Sequence, residues 1–244
     1  MNINDIKTVA MIGAGDMGHG IAEVALLAGY NVNLYDIKDS YVEKGKERIF
    51  ASLDLLTGKG KIPAELDAAI RNNLLNTTTD LEQAVGNADL VIEAIPEFMD
   101  LKQKVFAEID KAAPAHALLA SNTSTMSISE IATATNRPQK VLGLHYFNPA
   151  VLMRLVEVIR ADKTSDETMR IGMEYAKKQK KVGVFVKKDA PGFIANRVNQ
   201  APGVLLSEIV ERGEIEPEAL DAFVRMTGAA MGPCELIDYV GVDV

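Results

Sequence analysis

Tryptophan is absent from this 244-residue chain, and cysteine occurs once, as Cys234. A single thiol cannot close a disulfide within the chain, which suits a reducing compartment. No apolar run approaches the ~20 residues that a membrane-spanning helix needs. The start, Met1-Asn2-Ile3-Asn4-Asp5, lacks the cationic and apolar regions of a secretion signal. These absences predict a cytoplasmic protein with no membrane partner. Basic blocks are missing too, and the formal net charge is −8, so the chain lacks the electrostatic footprint of a nucleic-acid binder. The three histidines, His19, His116 and His145, and the lone cysteine do not fall at metal-ligand spacing. No G-x-S-x-G occurs, so no hydrolase nucleophile of that type is indicated.

What the chain does have is a glycine turn near its start. Thr8-Val9-Ala10-Met11-Ile12 is a β-favouring, apolar run that leads into Gly13-Ala14-Gly15-Asp16-Met17-Gly18, three glycines spaced G-x-G-x-x-G. Residues 21–28 follow with an apolar helical pattern closed by Gly29. A tight strand-to-helix turn of this kind presents backbone N–H groups and the positive end of a helix to a diphosphate. Gly13 permits the turn, Gly15 removes a side chain that would strike the ligand, and Gly18 lets helix and strand close up. A second run, 31–35, ends in Asp36, 18 residues after Gly18. A carboxylate that takes the ribose hydroxyls belongs there. The pattern predicts a dinucleotide site, and Asp36 would repel a 2′-phosphate, favouring NAD over NADP.

Apolar residues make up 48% and charged residues 25%, as in ordinary globular proteins. The length exceeds the ~100–200 residues of one typical domain, so a large domain and a smaller one are expected. Strand patterns at 74–78, 90–95, 118–120, 141–145, 155–159 and 182–186 alternate with helical ones at 40–56, 63–70, 80–85, 101–113, 128–134 and 166–179. That alternation predicts a doubly wound parallel α/β sheet with ligands beyond the carboxyl ends of its strands. The runs 141–145 and 155–159 fit either a hairpin or a tight crossover. After the breaker Asp189-Ala190-Pro191-Gly192 the pattern is helical, at 193–211, 217–226 and 233–239. The boundary is placed near Pro191, giving domains 1–190 and 191–244.

His145 closes an apolar strand at the ligand-binding edge and can exchange protons near neutral pH; the alternative is a core histidine satisfied by a carbonyl. Glu157 shares a strand face with Leu155 and Ile159, where a carboxylate is costly unless paired. Its partner is His145, in the preceding strand, or a Lys or Arg from elsewhere. A carboxylate on one ring nitrogen leaves the other free as a base. Ser124, in Ser121-Asn122-Thr123-Ser124, and Asn196, one turn into a helix, offer neutral polar contacts or simply form turns and caps. Lys59 and Lys61, flanked by glycines, either meet phosphates or are solvated.

Together these motifs resemble the L-3-hydroxyacyl-CoA dehydrogenase family from Lys7 to Val244. The resemblance is carried by the glycine turn, Ser121–Ser124, Gly143-Leu144-His145-Tyr146-Phe147-Asn148-Pro149, Leu155-Val156-Glu157-Val158-Ile159, the segment from Asp189 to Arg197, and Met231-Gly232-Pro233-Cys234-Glu235-Leu236. It implies a Rossmann-type domain followed by a smaller all-α domain, and oxidation of an acyl-CoA alcohol by NAD. It also implies a catalytic pair His145–Glu157, with Ser124 and Asn196 on the reacting oxygen. Gly13, Gly15, Asp16, Met17, Gly18, Asp36, Glu97 and Lys102 would contact NAD, and Ser52 and Lys59 the CoA. Family members run on for some tens of residues beyond the point matching Val244, so the second domain is expected to be partial here. A homodimer is implied for the longer protein. Two rivals share the fold: a non-catalytic NAD binder, and a dehydrogenase of a non-CoA hydroxy acid.

Overall fold

β1 (Thr8–Ile12) is buried along its whole length and stands third in an eight-stranded sheet. Such a strand reads as a continuous apolar run because both of its faces are covered. The computed structural model describes residues 1–240, in which eight strands lie in the order β3-β2-β1-β4-β5-β6-β7-β8. β2 (Asn31–Tyr35), β3 (Leu75–Thr78), β4 (Leu90–Glu93), β5 (Leu118–Ser121) and β6 (Val141–Tyr146) run parallel to β1. Because β1 is flanked by β2 on one side and β4 on the other, the strand order reverses at its carboxyl end. A crevice opens at such a point.

The last two strands depart from that direction. β7 (Leu155–Ile159) is antiparallel to β6, and β8 (Val182–Val186) is parallel to β7. The segment 147–154 is too short for the crossover of a dozen or more residues that a parallel return requires. The pair is therefore a hairpin, and the sheet is mixed at this edge.

α1 (Asp16–Leu27), α2 (Asp39–Gly58), α3 (Ala64–Ala69), α4 (Leu81–Val85), α5 (Met99–Ala112), α6 (Ile128–Ala132) and α7 (Asp166–Lys178) connect the strands. Alternate strand residues feed two cores, one on each side of the sheet. Val9, Met11 and Leu144 belong to the core with α1 and α7, whereas Ala10, Ile12 and Val141 belong to the core with α5 and α6. β4 ends two residues earlier than its pattern predicts. The Glu93 carboxylate turns back to accept the Ile95 N–H at 2.7 Å, taking the chain out of the ladder.

The chain divides into two compact units, the first ending at Phe193 and the second beginning at Ile194. The second holds α8 (Ala195–Glu211), α9 (Pro217–Met226) and α10 (Pro233–Val240). The Asp221 carboxylate on α9 accepts the backbone N–H groups of Cys234 and Glu235 at 2.8 and 3.1 Å, which caps α10. The last four residues of the expected second domain, 241–244, lie outside the described residues.

Candidate active site

The three glycines of the β1–α1 turn serve different needs. Gly13 sits at φ +104°, and a Cβ there would come within 2.4 Å of the Ala94 carbonyl oxygen. A Cβ on Gly18 would lie 1.8 Å from the Gly13 carbonyl oxygen, so this glycine is what lets α1 close on β1. A Cβ on Gly15 would meet no atom within 4 Å. The fold makes no demand on Gly15; the demand comes from whatever approaches it. Gly15 lines a cavity of about 570 Å³ together with Gly13, Asp16, Asp36 and Arg48. No side chain caps the N-terminus of α1 there, which leaves its N–H groups to an anion. Asp36 closes β2 and accepts the N–H groups of Ala14 at 2.8 Å and Ile37 at 2.7 Å, which fixes the carboxylate at the cavity wall. An open cradle, a free helix end and a fixed acid fit NAD. Across the mouth Arg48 is ion-paired with Asp16, and that bond holds the Asp16 carboxyl below its usual range.

Met17 is half-buried on α1 beside Gly18. Lys102 stands behind the cavity wall rather than in it. Its side chain is fully buried, with the ammonium 2.6 Å from Glu93 Oε1 and 3.1 Å from the Ile95 carbonyl oxygen. The physical reason is Glu93 itself: a carboxylate at the sheet's interior end must have its countercharge. Ser121 donates to the other Glu93 oxygen at 2.7 Å, and Thr123 donates to Glu97 at 2.7 Å. Glu97, half exposed, lies 3.8 Å from the same ammonium. Glu93 and Ser121 join Lys102 and Glu97 in this cluster at the strand ends. An acid interrupting an apolar strand was the only sign of them.

His145 and Glu157 face one another across the β6–β7 ladder as register partners. Glu157 Oε2 lies 2.7 Å from His145 Nδ1, and both residues are buried. A carboxylate can only accept, so Nδ1 carries the hydrogen, and in the neutral ring the lone pair is then on Nε2. The imidazole packs on Phe147, centroids 4.5 Å apart, and on Phe193 at 5.8 Å. Ser124 is half-buried in the turn after β5. Asn196 stands in the first turn of α8, within the second unit.

Lys59 is exposed at the end of α2. Ser52, on the same helix, donates to Glu23 Oε1 of α1 at 2.6 Å. Glu23 is buried, and burial pushes its carboxyl up to about 7 against the opposing effect of the Ser52 bond. His19 donates from Nδ1 to the Gly15 carbonyl oxygen, 2.7 Å away, and His116 lies 2.9 Å from Asp89. Neither histidine approaches the His145 pair in sequence or register. Among the described residues no cluster of His, Cys, Asp or Glu could hold a metal ion, and no helix is long and apolar enough to cross a membrane.

Residues 8–190 match the family model described as 3-hydroxyacyl-CoA dehydrogenase, NAD binding domain, and residues 192–244 match that of its C-terminal domain. The chain belongs to the 3-hydroxyacyl-CoA dehydrogenase family. It is 42% identical over 241 residues to a probable 3-hydroxybutyryl-CoA dehydrogenase of Bacillus subtilis, covering 98% of this chain and 83% of that one. It is 40% identical to a mitochondrial hydroxyacyl-coenzyme A dehydrogenase of Rattus norvegicus, covering 98% and 77%. The structure is similar to the crystal structure of (S)-3-hydroxybutyryl-CoA dehydrogenase PaaH1 from Ralstonia eutropha, with a TM-score of 0.89 and 35% identity over 98% of this chain and 83% of that one. As a member of this dehydrogenase family the chain is an oxidoreductase whose cofactor is NAD.

Proposed function

We propose that the chain catalyses the reversible oxidation of L-3-hydroxyacyl-CoA to 3-ketoacyl-CoA, with His145 as general base and Glu157 as its support. The buried His145–Glu157 pair, joined at 2.7 Å, carries the reading. Glu157 holds the ring in one tautomer, so Nε2 takes the proton of the substrate hydroxyl and returns it in the reverse direction. As His145 becomes cationic, the adjacent carboxylate stabilises the charge in a site with little water to do so. Ser124 is assigned to orient the hydroxyl oxygen. Bound NAD supplies the acceptor for the hydride that leaves C3. Gly13, Gly15 and the N-terminus of α1 would hold its diphosphate and Asp36 its ribose, and the Glu93–Lys102–Ser121 cluster keeps the neighbouring strand ends rigid.

The test follows NADH consumption with acetoacetyl-CoA against free acetoacetate. Turnover of the thioester and not of the free acid is expected. Equal rates would favour a non-CoA hydroxy acid as the substrate, and no turnover of either would leave a nucleotide binder.

A further inference from the structure

β5 and β6 run in register from the pair Leu119 and Val141 to the pair Ser121 and Gly143. His145 and Tyr146 come two and three residues later, where β6 still pairs with β7 through Glu157 and Val156. On its other side the chain has turned away at that level, into Asn122-Thr123-Ser124. A strand end with one neighbour left has backbone groups facing the missing rung, and a buried N–H there needs an acceptor. Tyr146, 2% exposed, is in that position.

Asn122 supplies the rung from its side chain. Its Oδ1 accepts the Tyr146 N–H at 2.9 Å, and both residues are buried. Its own N–H donates to the Glu93 carbonyl oxygen at 2.8 Å. One residue thus fastens the turn after β5 to β4 through its backbone and to β6 through its amide. The residue type suits the task, because a carboxamide on a one-carbon stem accepts as a ladder carbonyl does and brings no charge into a buried strand end. The turn is braced from within as well. The Thr123 N–H donates to Ser121 Oγ at 3.2 Å, and the Met126 N–H to Thr123 Oγ1 at 3.0 Å. Those bonds shape the turn itself; the Asn122 amide sets it against β6.

We propose that Asn122 is a positioning residue for the reaction assigned above, on which this inference rests. It holds the turn that carries Ser124 in register with the strand that carries His145. The two side chains assigned to the substrate oxygen come from different strand ends, Ser124 two residues after Asn122 and His145 immediately before Tyr146. The bond from Asn122 to Tyr146 links them through two short lengths of chain. Without it the turn is free to shift along β6, and the oxygen held by Ser124 shifts relative to Nε2 of His145. A displacement of about 1 Å in such a geometry costs up to ~10²-fold in rate.

The experiment uses Asn122→Ala, which removes the acceptor, and Asn122→Asp, which keeps one. The alanine variant is expected to lose roughly 10- to 100-fold in kcat with acetoacetyl-CoA, while KM and the NADH dissociation constant, read by fluorescence, stay within about threefold of wild type. Hydrogen exchange at the Tyr146 amide should quicken roughly tenfold or more in Asn122→Ala and slow again in Asn122→Asp. The deciding measurement is a double-mutant cycle with Ser124→Ala. Adding Asn122→Ala to that variant should cost no more than about threefold further in kcat, because the group it positions is already gone. Should Asn122→Ala fail to fold, Asn122→Leu, which keeps the bulk without an acceptor, takes its place in every arm. An unchanged kcat, unaltered exchange at Tyr146, or losses that multiply in full in the double variant each overturn the proposal. So does a rise in the NADH dissociation constant as large as the fall in kcat, which would make Asn122 a cofactor contact. If Ser124→Ala is slow and Asn122→Ala is not, the inference on Asn122 fails alone. If Ser124→Ala keeps the wild-type rate, or the wild-type chain turns over no thioester, the reaction as assigned fails and the positioning role falls with it, while exchange at Tyr146 still decides whether the rung exists.

Discussion

Replacing Glu23 by Gln should stabilise the protein, and more so as pH rises. The carboxyl lies between α1 and α2 with Ser52 as its recorded hydrogen-bond donor, and burial pushes it up to about 7 from an ordinary 4.5. The native state therefore holds this proton more tightly than the unfolded chain does. Stability from this group is fully present below about pH 4.5, falls as pH climbs through 7, and levels off above. At ~1.4 kcal/mol per pH unit, the ionised group costs the native state about 3 kcal/mol at pH 8. Gln fills the same volume, still accepts from Ser52, and carries no charge at any pH. The variant should match the wild type near pH 4.5 and exceed it by up to ~3 kcal/mol at pH 8, or roughly 6–12 °C in Tm for a unit of this size. Circular-dichroism melts of both proteins from pH 5 to pH 8 provide the assay. Contributions from Asp110 and other carboxylates cancel in the difference between the two curves. A difference that stays flat with pH would refute the account of Glu23 as a buried, reluctantly charged acid.

Three further substitutions separate chemistry from scaffolding. His145→Gln should cut turnover by roughly 10²–10⁴-fold in the NADH assay while NADH affinity, measured by fluorescence titration, stays near wild type. Lys102→Met strands the Glu93 carboxylate inside the sheet and should cost about 3–5 kcal/mol in a denaturant titration; adding Glu93→Gln should recover much of that. The two glycines of the turn should respond oppositely. Gly18→Ala, whose Cβ would overlap the Gly13 carbonyl, should lower Tm, whereas Gly15→Ala should leave Tm unchanged and weaken NADH binding.

The features that were readable in advance are those written into short stretches of chain. The glycine turn, the acid at the end of β2 and the strand-helix alternation are local patterns, and each has a local physical cause. The pairing of His145 with Glu157 was open to a rival Lys or Arg, and the β6–β7 register resolves it. What escaped were partnerships between distant elements. Glu93 was visible as an anomaly in an apolar strand, but nothing nearby announced that Lys102, on the helix after it, would be fully buried to meet it. Glu23 looked like one more helix residue until α2 brought Ser52 onto it.

The antiparallel turn at the edge of the sheet separates two jobs that a longer connection would have entangled. The acid and the imidazole are set opposite each other by the ladder, and of segment 147–154 it is Phe147 that packs on the imidazole. Beyond Phe147 and the buried Ala150, the exposed Leu152 and Met153 can change while the register of the pair stays as the ladder sets it. Substitutions at those two exposed positions should therefore leave the 2.7 Å pairing of His145 with Glu157 intact.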